Sequence, residues 1–188
     1  MLILCEGDTE VKYFNGLKHD EAHRRKLASL EIDIFQPEDF SPLGLVKEAK
    51  RRAISAKRER NPYDTIWVVF DRNGHQKIPE AFDMAKSNCI SVAFSIICFE
   101  YWILLHFERT TRAYNRCADL IHDLVRHYPG YDKAVNHYAL LKSRTQAAMG
   151  NSNWVAQQAQ LDLDRGMRID EMSSYTNVHE LVSELIGP

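Results

Sequence analysis

No stretch of this 188-residue chain approaches the roughly 18 consecutive apolar residues that a membrane-spanning helix needs, so no span is expected. The phosphate-cradling pattern G-x-x-x-x-G-K-[ST] is missing too, and any ATPase step would have to come from another chain. Neither sign of charge dominates: 24 Lys and Arg stand against 26 Asp and Glu, a net charge of -2. Global attraction to nucleic acid is therefore excluded, and such contact would need a local patch. Cysteines are few. Cys5, Cys89, Cys98 and Cys117 show no C-x-x-C spacing, lie in or beside apolar runs and read as buried free thiols of a cytoplasmic protein, which argues against a structural zinc site. No secretory leader is expected, because residue 2 already looks like core. Internal repeats and low-complexity segments are absent.

What is present is an ordinary globular composition, 45% hydrophobic and 27% charged. "LILC" (2–5) reads as a short buried strand and 9–17 as a helix. "EIDIFQ" (31–36) alternates like a second strand. Ser41-Pro42 marks a helix start, with the helix running to about Arg60. "DTIWVVFD" (64–71) is continuous and rich in β-branched and aromatic residues, as in a strand covered on both faces. A helix over 79–88 and a strand over 89–95 follow. The rhythm predicts an α/β fold, a parallel four-stranded sheet flanked by helices over 1–110. A mostly helical part over 111–188 follows, with helices at "FEYWILLHFE", 114–128, 132–148, 153–165 and 177–186, punctuated by Gly130 and Gly150. The whole is expected as one domain.

The chemistry-bearing signal is acid at strand ends. Glu6 ends the first strand and Asp71 the third. In the sheet order 2-1-3-4 those strands are neighbours, and ligands of such sheets bind at the carboxyl ends. Two carboxylates so close repel unless a proton or cation lies between them. Oxygen ligation with room for water favours Mg²⁺ or Mn²⁺. The plainer alternative is that Asp71 caps a turn and Glu6 pairs with a base. Glu100 is a third unusual acid, at the start of a segment apolar nearly all round. Its partner is expected to be a metal, an arginine such as Arg72, or its own helix end. His75, beside Gly74 in the turn after Asp71, is placed to meet a phosphate or act as a general acid, with plain loop solvation as the alternative. His106 reads as a satisfied core histidine.

Four separated stretches carry a family resemblance. "LILCEGDTEVKYFNGL" resembles the opening of RloB-like proteins, "IWVVFDRNGH" their Asp-Arg-Asp signature, "AFSIICFEYWILLHFE" their third signature, and "SSYTNVHELVSEL" their C-terminal Asn-Pro-Tyr-Thr-Asn helix. The resemblance implies a Toprim-like fold whose catalytic Glu follows the first strand and whose Asp-x-Asp follows the third. It also implies Mg²⁺, cleavage of nucleic-acid phosphodiesters, and a place in bacterial phage defence. On this chain the Glu is Glu6, the first Asp is Asp71, Glu10 is the acid of Thr-Glu, and Glu100 is the acid of Phe-Glu-x-Trp. The chain departs from the pattern at Asn73, which stands where the second Asp is expected; an amide oxygen is a neutral, weaker ligand. "SSYT" is a second departure. Relatives often carry a basic segment before the first strand, which leaves the true start open.

Phosphodiester cleavage needs metal, activated water and charge stabilisation. Glu6, Asp71 and Asn73 are the expected metal ligands. Glu10 is a group that supports the ligands from behind, a second-metal ligand or a general base, and His75 or Lys77 meets the phosphate; whether one metal or two is involved stays open. Basic contacts are offered by "KEAKRRAISAKRER" (47–60), where Lys47, Arg51 and Arg58 share a helix face, and by Arg72. A solvated amphipathic face is the plainer reading. Arg126, His127, Tyr128, Tyr131 and Lys133 form an aromatic-basic mix suited to an unpaired strand, and a helix–helix turn explains it equally well. Two functions follow: a metal-dependent Toprim-type nuclease acting on DNA or RNA, tRNA included, or a catalytically weakened module that binds nucleic acid or a partner ATPase.

Overall fold

A computed structural model describes residues 1–27 and 31–187. Four strands run parallel: β1 (Leu2–Cys5), β2 (Asp33–Phe35), β3 (Ile66–Asp71) and β4 (Ser91–Ile96). Helices α1 (Asp8–Lys18) and α2 (Arg24–Leu27) follow β1, α3 (Pro42–Arg58) follows β2, and α4 (Ile78–Ser87) follows β3. The sheet order is β2-β1-β3-β4-β5, so the two strands that end in acids are neighbours. The continuous apolar runs are explained by burial. Every residue of β1 is fully enclosed, and β3 is buried from Trp67 to Asp71, as strands covered on both faces must be. Burying each large aliphatic or aromatic side chain contributes about 1.5–3 kcal/mol. Ser41 starts α3 as expected, its hydroxyl accepting the Gly44 N–H at 3.1 Å ahead of Pro42.

The second half contains α5 (Glu100–Leu104), α6 (Cys117–His127), α7 (Tyr138–Leu141), α8 (Thr145–Asp164), β5 (Tyr175–Thr176) and α9 (Val178–Ile186). It departs from the sequence expectation in four ways. A fifth strand exists, two residues long and antiparallel to β4. It is specified by side chains more than by pattern: Asn177 accepts the Phe94 N–H at 2.8 Å and donates to the Val92 carbonyl at 2.9 Å, while Ser95 and Thr176 hydroxyls meet at 2.9 Å. The C-terminal signature is thus an edge-strand plug as well as a helix start.

The expected helix over 132–148 is also revised. Residues 132–137 form a loop held by the Tyr128 hydroxyl on His137 at 2.7 Å, and α8 runs unbroken through Gly150. A glycine costs a helix about 1 kcal/mol, but Ala148, Met149, Ser152 and Val155 bury this one's flanks. The apolar helix at 99–108 is cut to five regular residues, its tail tightening into i to i−3 bonds at His106 and Phe107. Finally, the cysteines are not all buried free thiols. Cys98 and Cys117 form a disulfide across 19 residues, and Cys89 is exposed; Cys5 alone fits the expectation. The chain leaves β4 at Cys98 and returns at the start of α6, bringing the two Cα atoms to 5.8 Å.

Candidate metal centre

The site begins where β1 and β3 end side by side. The Glu6 N–H still bonds to the Val69 carbonyl at 2.9 Å, which fixes its backbone in sheet register. Its Oε2 accepts the Asp71 N–H at 2.9 Å, and its Oε1 meets His75 Nε2 at 2.6 Å. His75 is delivered by a tight turn. The His75 N–H bonds to the Arg72 carbonyl at 3.2 Å, and Gly74 takes φ +74°, a conformation glycine adopts freely. The Asp71 Oδ1 accepts the Asn73 N–H at 2.8 Å, so Asp71 does cap the turn, while still facing the cleft. Ligand atoms of Glu6, Asp71 and His75 lie within 4.8 Å of one another.

A second group of acids lies beside the first. Glu10, on the first turn of α1, is 5% exposed, and Glu100 at the start of α5 is 2% exposed. Gly7 makes room: a Cβ there would stand 2.9 Å from Glu10 Oε2. Glu100 Oε1 accepts the Tyr131 hydroxyl at 2.8 Å and pairs with Lys133 Nζ at 3.0 Å. Its Oε2 lies 3.4 Å from the Cys117 sulfur, which as part of a disulfide has no proton to donate. Glu6, Glu10, Asp71 and Glu100 line one cleft of about 480 Å³ with Asn73, Lys12, Phe40, Phe99 and Lys133. Crowding of acids shows in their proton affinities. Burial, then the Glu6 charge, pushes Asp71 up to about 8. Burial, with the charges of Glu6 and Glu100, pushes Glu10 up to about 8, against the pull of Lys133. Such a cluster holds either protons or a cation.

The donor set fits a hard divalent ion: carboxylate oxygens on two strand ends and an open side for water, with the His75 imidazole engaged by Glu6 beside them. The Cys98–Glu100–Cys117 grouping does not fit a soft metal while its sulfurs are joined.

The other expected residues divide. Asn73 lies at the rim of the cleft, exposed, its main chain engaged with Asp71. Arg72 turns away from the cleft; its Nη1 donates to the carbonyls of Met172 at 2.8 Å and Asp170 at 3.3 Å, so it neither pairs with Glu100 nor presents a free charge. Lys47 and Arg51 line a separate cleft with Phe35, Gln36, Pro37, Glu38 and Asp39, and Arg51 is paired with Glu48 at 2.6 and 2.7 Å. Arg58 is exposed near the end of α3. Most of the aromatic-basic mix is engaged internally: Arg126 with Asp123, His127 with Glu108, and Tyr128 with His137. Only Tyr131 and Lys133 reach the acids. His106 is the core histidine expected, 1% exposed, between the Trp102 carbonyl at 3.0 Å and the Tyr13 hydroxyl at 3.3 Å. Lys12, Phe40 and Phe99 are among the lining residues not singled out from sequence. Phe40 is 50% exposed, and its only sequence signal is an aromatic stranded in the polar loop "QPEDFSP".

The chain belongs to the RloB-like family: the family model described as RloB-like protein matches residues 1–185. No curated protein and no solved structure matches it.

Proposed function

From membership in the RloB-like family and the acids at adjoining strand ends, we propose that this chain is a Mg²⁺- or Mn²⁺-dependent Toprim-type nuclease that cleaves phosphodiester bonds of DNA or RNA, in bacterial phage defence. The observation that carries the reading is the convergence of Glu6, Asp71 and His75 at the carboxyl ends of β1 and β3. When bound, a divalent ion polarises the phosphate and lowers the pKa of a water ligand. Glu6 and Asp71 hold it. His75, steadied by Glu6, faces the phosphate as proton donor. Glu10, buried on the first turn of α1 and lining the same cleft, suits the taking of a proton from the attacking water.

The approach for substrate runs from Phe40 at the mouth to the cleft that holds Lys47 and Arg51. The 36–39 segment joins the two, tied to the site by the Gln36 amide on the Glu6 carbonyl. An exposed ring suits a base face, and Lys47 in that mixed-charge cleft suits a backbone phosphate.

A second reading is favoured by one observation. Asn73, at the rim, is a neutral amide where a carboxylate would strengthen the centre. On that reading the chain is a weakened module that binds nucleic acid or a partner ATPase. A cleavage assay on a panel of DNA and RNA substrates, tRNA included, decides. Cutting that needs Mg²⁺ or Mn²⁺ and is lost in Asp71→Ala supports the nuclease. Metal binding without cutting on any substrate supports the module.

A further inference from the structure

The second half of the chain places one cation in the acidic cleft, and the loop that carries it is built around that placement. Tyr131 and Lys133 both converge on Glu100 Oε1, at 2.8 and 3.0 Å. Asp132 closes the loop on itself by accepting the Ala134 N–H at 2.9 Å. Lys12, from the helix that carries Glu10, donates to the Ala134 carbonyl at 3.0 Å and ties the loop to the first half. Glu100 is 2% exposed while the Lys133 side chain is 52% exposed, so the ammonium enters from solvent to meet a carboxylate that water does not reach. This is not an ordinary surface ion pair, because one partner is enclosed.

The four acids of the cleft fall into two pairs. Glu6 and Asp71 share His75 and the strand ends. Glu10 and Glu100 line the same cleft as Lys133, which pairs with Glu100 at 3.0 Å. Four carboxylates in one cleft carry the negative charge that two divalent ions would balance. A lysine ammonium is a compact point charge, and a divalent ion beside it would be repelled at short range. We infer that Lys133 occupies the position of a second divalent ion, so that the centre binds one ion per chain, on the Glu6–Asp71 side. The inference rests on the metal reading above and deepens it: the scissile phosphate would meet the ion on one side and this lysine on the other.

Manganese binding counted by electron paramagnetic resonance under equilibrium dialysis tests it without any activity. Wild type is expected to saturate at one Mn²⁺ per chain. Lys133→Met keeps the aliphatic stem, removes the charge, and is expected to saturate at two. Glu100→Gln combined with Lys133→Met is expected to return to one, and Lys133→Arg to stay at one. Two ions on the wild type would overturn the inference while leaving the metal reading intact. So would a folded Lys133→Met that stays at one ion under saturating Mn²⁺. Should Lys133→Met fail to fold, Lys133→Gln carries the same expectation of two ions, and one ion on that folded variant overturns the inference. No ion on the wild type would overturn the metal reading and this inference with it.

Discussion

Glu6 accepts the backbone N–H of Asp71 through Oε2 at 2.9 Å, so the carboxylate ending one strand is fixed by the main chain of its neighbour. The geometry holds two acids together at a cost to the metal-free fold. Asp71, pushed up to about 8 by burial and by Glu6, has a folded-state proton affinity far above its unfolded value. Its contribution to stability is therefore full below about pH 4 and is lost as pH rises through about 8. Asp71→Asn keeps an oxygen for the Asn73 N–H and removes the charge. Metal-free Asp71→Asn is expected to melt higher than wild type at pH 7, by roughly 1–3 kcal/mol, with the gap widening from pH 4 to pH 8. It is also expected to lose Mg²⁺ binding. Thermal melts across pH and calorimetric titration with Mg²⁺ check both; a variant that melts lower without metal contradicts the crowding argument.

Phe40 gives a second test. It is half exposed at the mouth of the cleft, and nothing in the core depends on it. Phe40→Ala is expected to leave the melt unchanged and to weaken binding of a single-stranded oligonucleotide by about 1–3 kcal/mol, the worth of one stacked base. Fluorescence anisotropy reads this directly. Equal affinity in the two proteins would remove Phe40 from the substrate path.

How much of this was legible in the sequence depends on the range of the interaction. The parallel sheet could be read because β1 and β3 are continuous apolar runs, and their order brings Glu6 and Asp71 together whatever the loops do. Contacts between distant segments could not be read. The Cys98–Cys117 bridge joins residues whose spacing says nothing, and only the return of the chain at α6 brings them close. Tyr175–Thr176 is too short for any periodicity and exists because Asn177 bonds the edge of β4. Lys133 looked like part of a strand-binding patch. Its partner Glu100 lies 33 positions earlier, and what joins them is a loop held by Asp132 and Tyr131.

His106 supplies a prediction outside the metal centre. Burial pushes it down to about 4 from an ordinary value near 6.5, and its bonds to the Trp102 carbonyl and the Tyr13 hydroxyl suit the neutral ring. A group depressed in the folded state contributes stability that is present above the unfolded value, about pH 6.5. That contribution is lost as pH falls through about 4. His106→Gln removes the titration. Between pH 7 and pH 4 wild type is expected to lose about 3 kcal/mol more than this variant, as read by urea denaturation at each pH. Parallel losses would mean that the ring is charged in the fold.

The last prediction concerns Asn73. Its N–H, not its side chain, bonds Asp71 Oδ1 at 2.8 Å, and Gly74 alone carries the positive φ of the turn. Neither feature depends on the side-chain amide, so Asn73→Asp leaves the turn intact. The residue is exposed and lines the cleft beside Asp71 and Glu6. A carboxylate there adds a charged oxygen on the solvent side, where a hard ion keeps its waters. It also adds repulsion to a crowded cluster, but at an exposed rim water screens much of it. Asn73→Asp is therefore expected to bind Mg²⁺ more tightly, by roughly 1 kcal/mol or about fivefold, and to melt slightly lower without metal. Calorimetric titration and metal-free melts measure the two effects on one protein. An unchanged Mg²⁺ affinity would show that residue 73 serves the turn alone.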